Sequence, residues 1–153
     1  MVRTMNNQES IEQVKTPWHL WLIGILALLW NAMGALDYVM TQTRNQEYMS
    51  NFSAEQLSFF YGFPGWVVFA WALAVWGSVA GSIFLLLKKR LAVSIFLTSL
   101  VAMLLTSFHN YILSNGMQVI GDPFSLVFTA IIFVIALILY LYSRAMRKRG
   151  VLV

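Results

Sequence analysis

Along this chain, long stretches in which nearly every position is apolar alternate with short polar ones. The apolar stretches are Trp18–Met40, Pro64–Leu87, Leu91–Leu113 and Phe124–Tyr142. A helix needs roughly 20 mostly apolar residues to cross the hydrocarbon core of a bilayer, and each stretch qualifies. Barrel strands alternate apolar and polar positions over about ten residues, whereas Ile131–Leu139 is apolar on every side. Lipid offers no partner to open backbone groups, so long unbroken apolar runs are read as helices. The three prolines, Pro17, Pro64 and Pro123, each open a proposed span, where a missing N–H costs nothing. The third span follows Lys88-Lys89-Arg90, a tight basic turn. The pattern predicts an all-α membrane protein: a four-transmembrane-helix bundle over 18–142, with a tail over 1–17 and a basic tail over 143–153.

The connecting segments predict less. Residues 1–16 are polar and mixed in charge, which reads as a flexible or surface-lying tail. In the long loop Thr41–Phe63, Ser53-Ala54-Glu55-Gln56 fits a capping box, with Ser53 as N-cap and Gln56 at N3. Leu57, Phe59, Phe60 and Tyr61 follow, so a short amphipathic helix is expected at the membrane interface. A cleavable leader ending at Ala32-Met33-Gly34 is disfavoured, because the apolar run continues to Met40. Asp37-Tyr38 and Asn110-Tyr111 echo one another, as do Gly62-Phe63-Pro64 and Gly121-Asp122-Pro123. Interfacial tyrosines and span-opening prolines are expected without duplication.

Composition agrees with the pattern. The chain has 153 residues, 59% of them hydrophobic and 10% charged, against about 45–50% and about 25% in soluble domains. A chain this short could not hide that much apolar surface from water, so the bilayer is its solvent. There is no cysteine, which removes disulfides, thiolate metal sites and cysteine redox chemistry. The charge changes the picture most. Arg3, Lys15, Lys88, Lys89, Arg90, Arg144, Arg147, Lys148 and Arg149 fall on one side of a four-span topology, and Arg44 on the other. Loop Lys/Arg bias marks the cytoplasmic face, so both termini are expected there. The basic tail Arg144–Arg149 is read as topogenic and in contact with anionic lipid.

Small residues suggest how the helices pack. Ala70, Ala74, Ser78 and Ser82 recur at four-residue spacing in the second span, beside Gly77 and Gly81. Gly24, Ala27, Asn31 and Gly34 share one face of the first span. Such faces allow close backbone approach, so both are expected in the bundle interior, with Gly77-x-x-x-Gly81 packing within the chain rather than between chains. After Thr129 the fourth span holds almost nothing small or polar, and is expected to face lipid. Trp18, Trp21, Trp66, Tyr38, Tyr111, Tyr140 and Tyr142 suit interfacial belts. Trp71 and Trp76 lie deeper and are read as bulky filling.

Ionisable residues within spans are costly and therefore mark candidate sites. Asp37 and His109 sit near the same end of the first and third spans, both roughly 4–6 Å deep at about 1.5 Å per residue. They could pair, with Tyr38, Asn110, Ser107 and Tyr111 at the same level. Asn31 lies about 13 Å deep. Together Asn31, Asp37, Tyr38, His109 and Asn110 form a candidate polar pocket, in which an Asp–His pair could change charge near neutral pH. The competing reading is structural: shallow groups reach the headgroups, and Asn31 bonds a neighbouring helix. His19 and His109 lie at opposite faces of a core roughly 30 Å thick, so they cannot share a metal or haem. No paired carboxylates, HExxH, phosphate loop or nucleophile elbow is present. No enzyme, cofactor, metal site or nucleic-acid partner is expected.

The segments Leu28-Leu29-Trp30-Asn31-Ala32-Met33-Gly34-Ala35-Leu36-Asp37-Tyr38-Val39-Met40, Phe63-Pro64-Gly65-Trp66 and Trp71-Ala72-Leu73-Ala74-Val75-Trp76-Gly77 resemble a family of small four-helix bacterial inner-membrane proteins, some labelled "sugar transporter". The resemblance implies a bacterial inner-membrane location and points toward transport; it carries over no site residue. Two functions follow as expectations. One is a small solute transporter or permeation protein, acting as a homo-oligomer. The other is a non-catalytic accessory or structural subunit packed against a larger membrane complex.

Overall fold

The computed structural model describes residues 14–153, so most of the N-terminal tail considered above lies outside the described residues. Those residues form seven α-helices and one π-helical turn, with no strand among them. The helices are α1 (Trp18–Gln42), α2 (Gln46–Met49), α3 (Ala54–Tyr61), α4 (Gly65–Leu86), α5 (Leu91–Phe108), α6 (Gly116–Val119) and α7 (Pro123–Lys148). The π-helical turn, His109–Leu113, continues α5. Four rods are long and apolar enough to cross a membrane: α1, α4, α5 with its π turn, and α7. They are consistent with a multi-pass integral membrane protein.

The starts of these helices follow the local chemistry. Pro17 and Pro64 stand immediately before α1 and α4 in extended conformation. Asp122 caps α7, accepting from the Ser125 backbone N–H at 3.1 Å and from its hydroxyl at 2.5 Å, with Pro123 in the first turn. These two donors hold the exposed Asp122 carboxyl below its ordinary range. The α3 capping box forms as expected: Gln56 N–H donates to Ser53 Oγ, and Ser53 N–H donates to Gln56 Oε1. Between α4 and α5, Lys88 takes a left-handed conformation with φ 56°, which folds the chain back within a few residues.

Side-chain contacts set the arrangement. Asn31 and Tyr38 of α1 meet Ser78, Ser82 and Trp71 of α4 in antiparallel order. Gly77 and Gly81 of α4 face Ser99 and Phe96 of α5. Tyr111 reaches Thr129 of α7, and α7 returns to α1 through Trp30–Phe128 and His19–Tyr142. The four rods therefore run up and down in the order α1, α4, α5, α7, with α7 touching α1 through these side chains. The main buried cluster, including Leu20, Leu85, Phe96, Leu139 and Met146, lies toward the basic end. Apolar burial drives little in lipid, whose tails are as apolar as leucine; close packing and interhelical hydrogen bonds carry the association instead.

Small residues stand at most of these approaches, with one exception. A Cβ at Gly81 would stand 2.8 Å from the Phe96 ring, and one at Gly77 would stand 3.2 Å from Ser99. The Gly77-x-x-x-Gly81 face is thus filled from within the chain. Ala70 and Ala74 are buried, and the Ala74 carbonyl accepts from Ser99 Oγ at 2.5 Å. A Cβ at Gly24 would press on the Leu86 side chain, 2.5 Å away. Gly34 is the exception: a Cβ there would meet nothing within 4 Å, and at this end of α1 the neighbouring Ala35 is the buried residue. Trp76 likewise fills no interior space, being 48% exposed on the outside of α4.

The fourth rod exposes the most surface, its buried residues being Leu139, Ser143 and Met146. It also runs on to Lys148, well past Tyr142. Ser143 and Met146 still face inward there, while Arg144, Arg147 and Lys148 face out, so amphipathic spacing continues after the apolar run ends. Gly150 then turns with φ 72°, and Val151 and Leu152 are buried. Val153 N–H donates to the Lys88 carbonyl at 2.8 Å, and its own carbonyl accepts from Arg90 N–H at 3.1 Å. Residues 150–153 therefore strap the α4–α5 turn rather than trail from the bundle.

Candidate functional site

Asp37 and His109 have different partners. After α1, Arg44 takes a left-handed conformation with φ 53°, and Asn45 caps α2 by accepting from the Tyr48 N–H at 3.0 Å. This turn brings the Tyr48 ring back over the last turns of α1. Its hydroxyl donates to Asp37 Oδ1 at 2.6 Å. Burial, then the hydrogen bond to Asp37 and its negative charge, push the Tyr48 phenol up to about 12. Arg44 lies over the Tyr61 ring, 4.4 Å from its centroid.

His109 opens the π turn. Its Nδ1 is 3.1 Å from Asn110 Oδ1, so Nδ1 carries the proton if this contact is a hydrogen bond. The ring stands edge-on to Phe63 and Trp66, with centroids 5.8 and 5.4 Å away. Trp71 touches both Phe63 and Tyr38. The Asp37 and His109 neighbourhoods are thus linked by a chain of rings, not by a hydrogen bond. His109 also borders a cleft of about 450 Å³, with Glu55, Ser58, Phe63, Ser114 and Asn115 among its walls. Next to the wall residue Asn115, Gly116 is closely hemmed in: any Cβ there would collide with the Asn110 carbonyl and stand 3.2 Å from Phe59. Ser114 Oγ donates to the Asn110 carbonyl at 2.8 Å rather than to His109.

Asn31 belongs to neither neighbourhood. It is buried, and its Nδ2 donates to Ser82 Oγ at 2.9 Å and to the Ser78 carbonyl at 3.1 Å. Ser82 Oγ in turn donates to the same carbonyl. Both amide protons are satisfied by α4, and Asn31 does not line the His109 cleft. The five residues read from the sequence as one pocket therefore divide into three: Asn31 between helices, Asp37 with Tyr48, and His109 with Asn110. Tyr38 belongs to the ring chain between the last two.

Several participants escape a reading of spans alone. Tyr48, Phe63 and Trp66 lie in or beside the loop, and fold back through the Asn45 cap, the α3 capping box and the Pro64 turn. The Asn-x-x-Tyr spacing at Asn45–Tyr48 was the available signal for the first of these. At the basic end, His19 Nδ1 and the Tyr142 hydroxyl lie 2.5 Å apart. Among the described residues, no three His, Asp or Glu side chains converge as metal ligands would. Chemically, the loop end holds one phenol-bonded carboxylate and, apart from it, one imidazole in an aromatic cleft. No protein-family model, curated protein or solved structure matches the chain.

Proposed function

We propose that this chain is a non-catalytic accessory or structural subunit of a larger assembly in the bacterial inner membrane, with both termini cytoplasmic and α3 lying at the outer interface. The observation that carries this reading is the hydrogen bonding of Asn31 to α4. Asn31, the polar side chain near mid-membrane, gives both its amide protons to α4. A solute path needs polar groups facing water at that depth, and Asn31 faces Ser78 and Ser82. The orientation rests on nine of ten basic residues falling on one side. The bacterial location rests on the family resemblance. The face on which to look for a partner helix is α7, which buries three residues in this chain and leaves Val134, Ile138 and Leu141 to lipid or to a second protein.

Photo-reactive residues placed at Val134 and Ile138 in native membranes test the reading. A single adduct of fixed mass, absent when the probe is moved to Leu29 or Met33 of α1, is the expected result. Recovery from mild detergent solely as a free monomer or homodimer, with no adduct, would sink it. A second reading, a small solute carrier or permeation protein, rests on the cleft beside His109. Uptake into liposomes by the purified chain, altered in rate or pH dependence by Asp37→Asn, would favour that reading instead.

A further inference from the structure

We infer that the basic end of the bundle carries a built site for the phosphate of an anionic lipid headgroup, in the cavity between the start of α5 and the end of α7. This cavity has a volume of about 550 Å³ and is lined by Arg90, Leu91, Ser94 and Arg147. Two guanidiniums and a hydroxyl match phosphate chemistry, since Arg donates in a planar fork to pairs of phosphate oxygens. Among the described residues, no side-chain carboxylate lines the cavity. Among the described residues, Asp37, Glu47, Glu55 and Asp122 all lie toward the opposite end of the bundle.

The site is preorganised on the Arg90 side. The Arg90 backbone N–H donates to the Val153 carbonyl at 3.1 Å, and its Nε donates to the Leu152 carbonyl at 3.3 Å. The strap 150–153, anchored by the buried Val151 and Leu152, thus fixes the guanidinium stem through Nε, and among the described residues its two terminal nitrogens have no hydrogen-bond partner. Arg147 comes from the outward side of the α7 extension, exposed one residue after the buried Met146. Leu91 forms the apolar lip and is 58% exposed. The apolar lengths of α5 and α7 begin directly beyond it, where acyl chains would lie. That juxtaposition favours a lipid over free phosphate, and basic pockets between membrane helices are a recurring form of headgroup site.

The full chain, reconstituted in phosphatidylcholine bilayers with a trace of spin-labelled phosphatidic acid, reads this directly. The expected result is selective immobilisation of the acidic lipid over labelled phosphatidylcholine. In Arg90→Gln/Arg147→Gln that selectivity falls by about fivefold per arginine removed. Arg144→Gln/Lys148→Gln removes equal charge outside the cavity and leaves most of it. Arg147→Gln alone avoids disturbing the strap, and is expected to show its own share of the loss. Equal losses in the two double variants would mean diffuse attraction and overturn the site. So would no loss in Arg147→Gln, or full displacement of the labelled lipid by millimolar inorganic phosphate.

Discussion

α4 and α7 are both long apolar helices, yet they solve opposite problems. α4 is flanked on two sides: Ser78 and Ser82 meet α1, and Gly77 and Gly81 meet α5. Its small residues let two neighbours approach, and its hydroxyls and carbonyls then hold them. α7 carries Ile, Val, Leu and Phe around most of its circumference and buries three residues. In a bilayer, hydrophobicity by itself assigns no neighbour, since lipid satisfies it as well as protein does. What places a helix inside such a bundle is the removal of side-chain volume and the presence of satisfiable polar groups.

That contrast is breakable by substitution. The largest effect is expected from Gly81→Ala, whose Cβ would stand 2.8 Å from the Phe96 ring carbons. Overpacking of this kind costs about 1–3 kcal/mol, measurable as a loss of unfolding free energy in a denaturing-detergent titration. Gly24→Ala should cost less, because the atom it meets is the far end of the flexible Leu86 side chain. Asn31→Leu comes next. It removes the donor to Ser82 and Ser78, and interhelical hydrogen bonds in membranes average about 0.6 kcal/mol with a ceiling near ~1.7. Asn31→Leu and Ser82→Ala should be less than additive in a double-mutant cycle; strict additivity would show that the pair is uncoupled.

On α7, Val134→Leu should leave stability within about 0.5 kcal/mol of the parent chain, as at other exposed positions. A larger loss in the purified protein would mean that this face is internal after all. The smallest effect is a titration. The Tyr48 phenol is raised to about 12, above the ordinary value of about 10. Its contribution to stability is therefore complete below about pH 10 and lost as pH climbs toward 12. Tyrosinate absorbance should show a late-titrating phenol that is missing in Tyr48→Phe, a change that should also flatten the alkaline decline in stability.

The rods and their small-residue faces were legible in the sequence because both are local properties. An apolar run of about 20 residues and a four-residue spacing mean the same thing in most surroundings. The loop-end site was legible by depth but not by direction. Asp37 and His109 lie near the same level, but depth does not say which way a side chain points, and Tyr48, eleven residues on, takes the carboxylate. The α7 extension was hidden for a different reason. Hydropathy falls sharply at Arg144, whereas the inward spacing of Ser143 and Met146 continues. The strap was hidden because Val151 and Leu152 are too few to make a pattern.

The π-helical turn at His109–Leu113 amounts to an inserted beat in the rhythm of α5. At about 3.6 residues per turn, one residue is worth about 100° of rotation. Deleting one residue from this segment should let the helix close into regular α form, and everything after it would then arrive out of phase. Tyr111 would swing away from Thr129, and Asn110 would lose its seat beside Gly116. His109 would keep its place on the upstream turn while the far wall of its cleft moved. The shape of the loop end thus depends on a counting irregularity rather than on any one side chain. Length variation at this point would remodel the cleft while leaving the four rods intact.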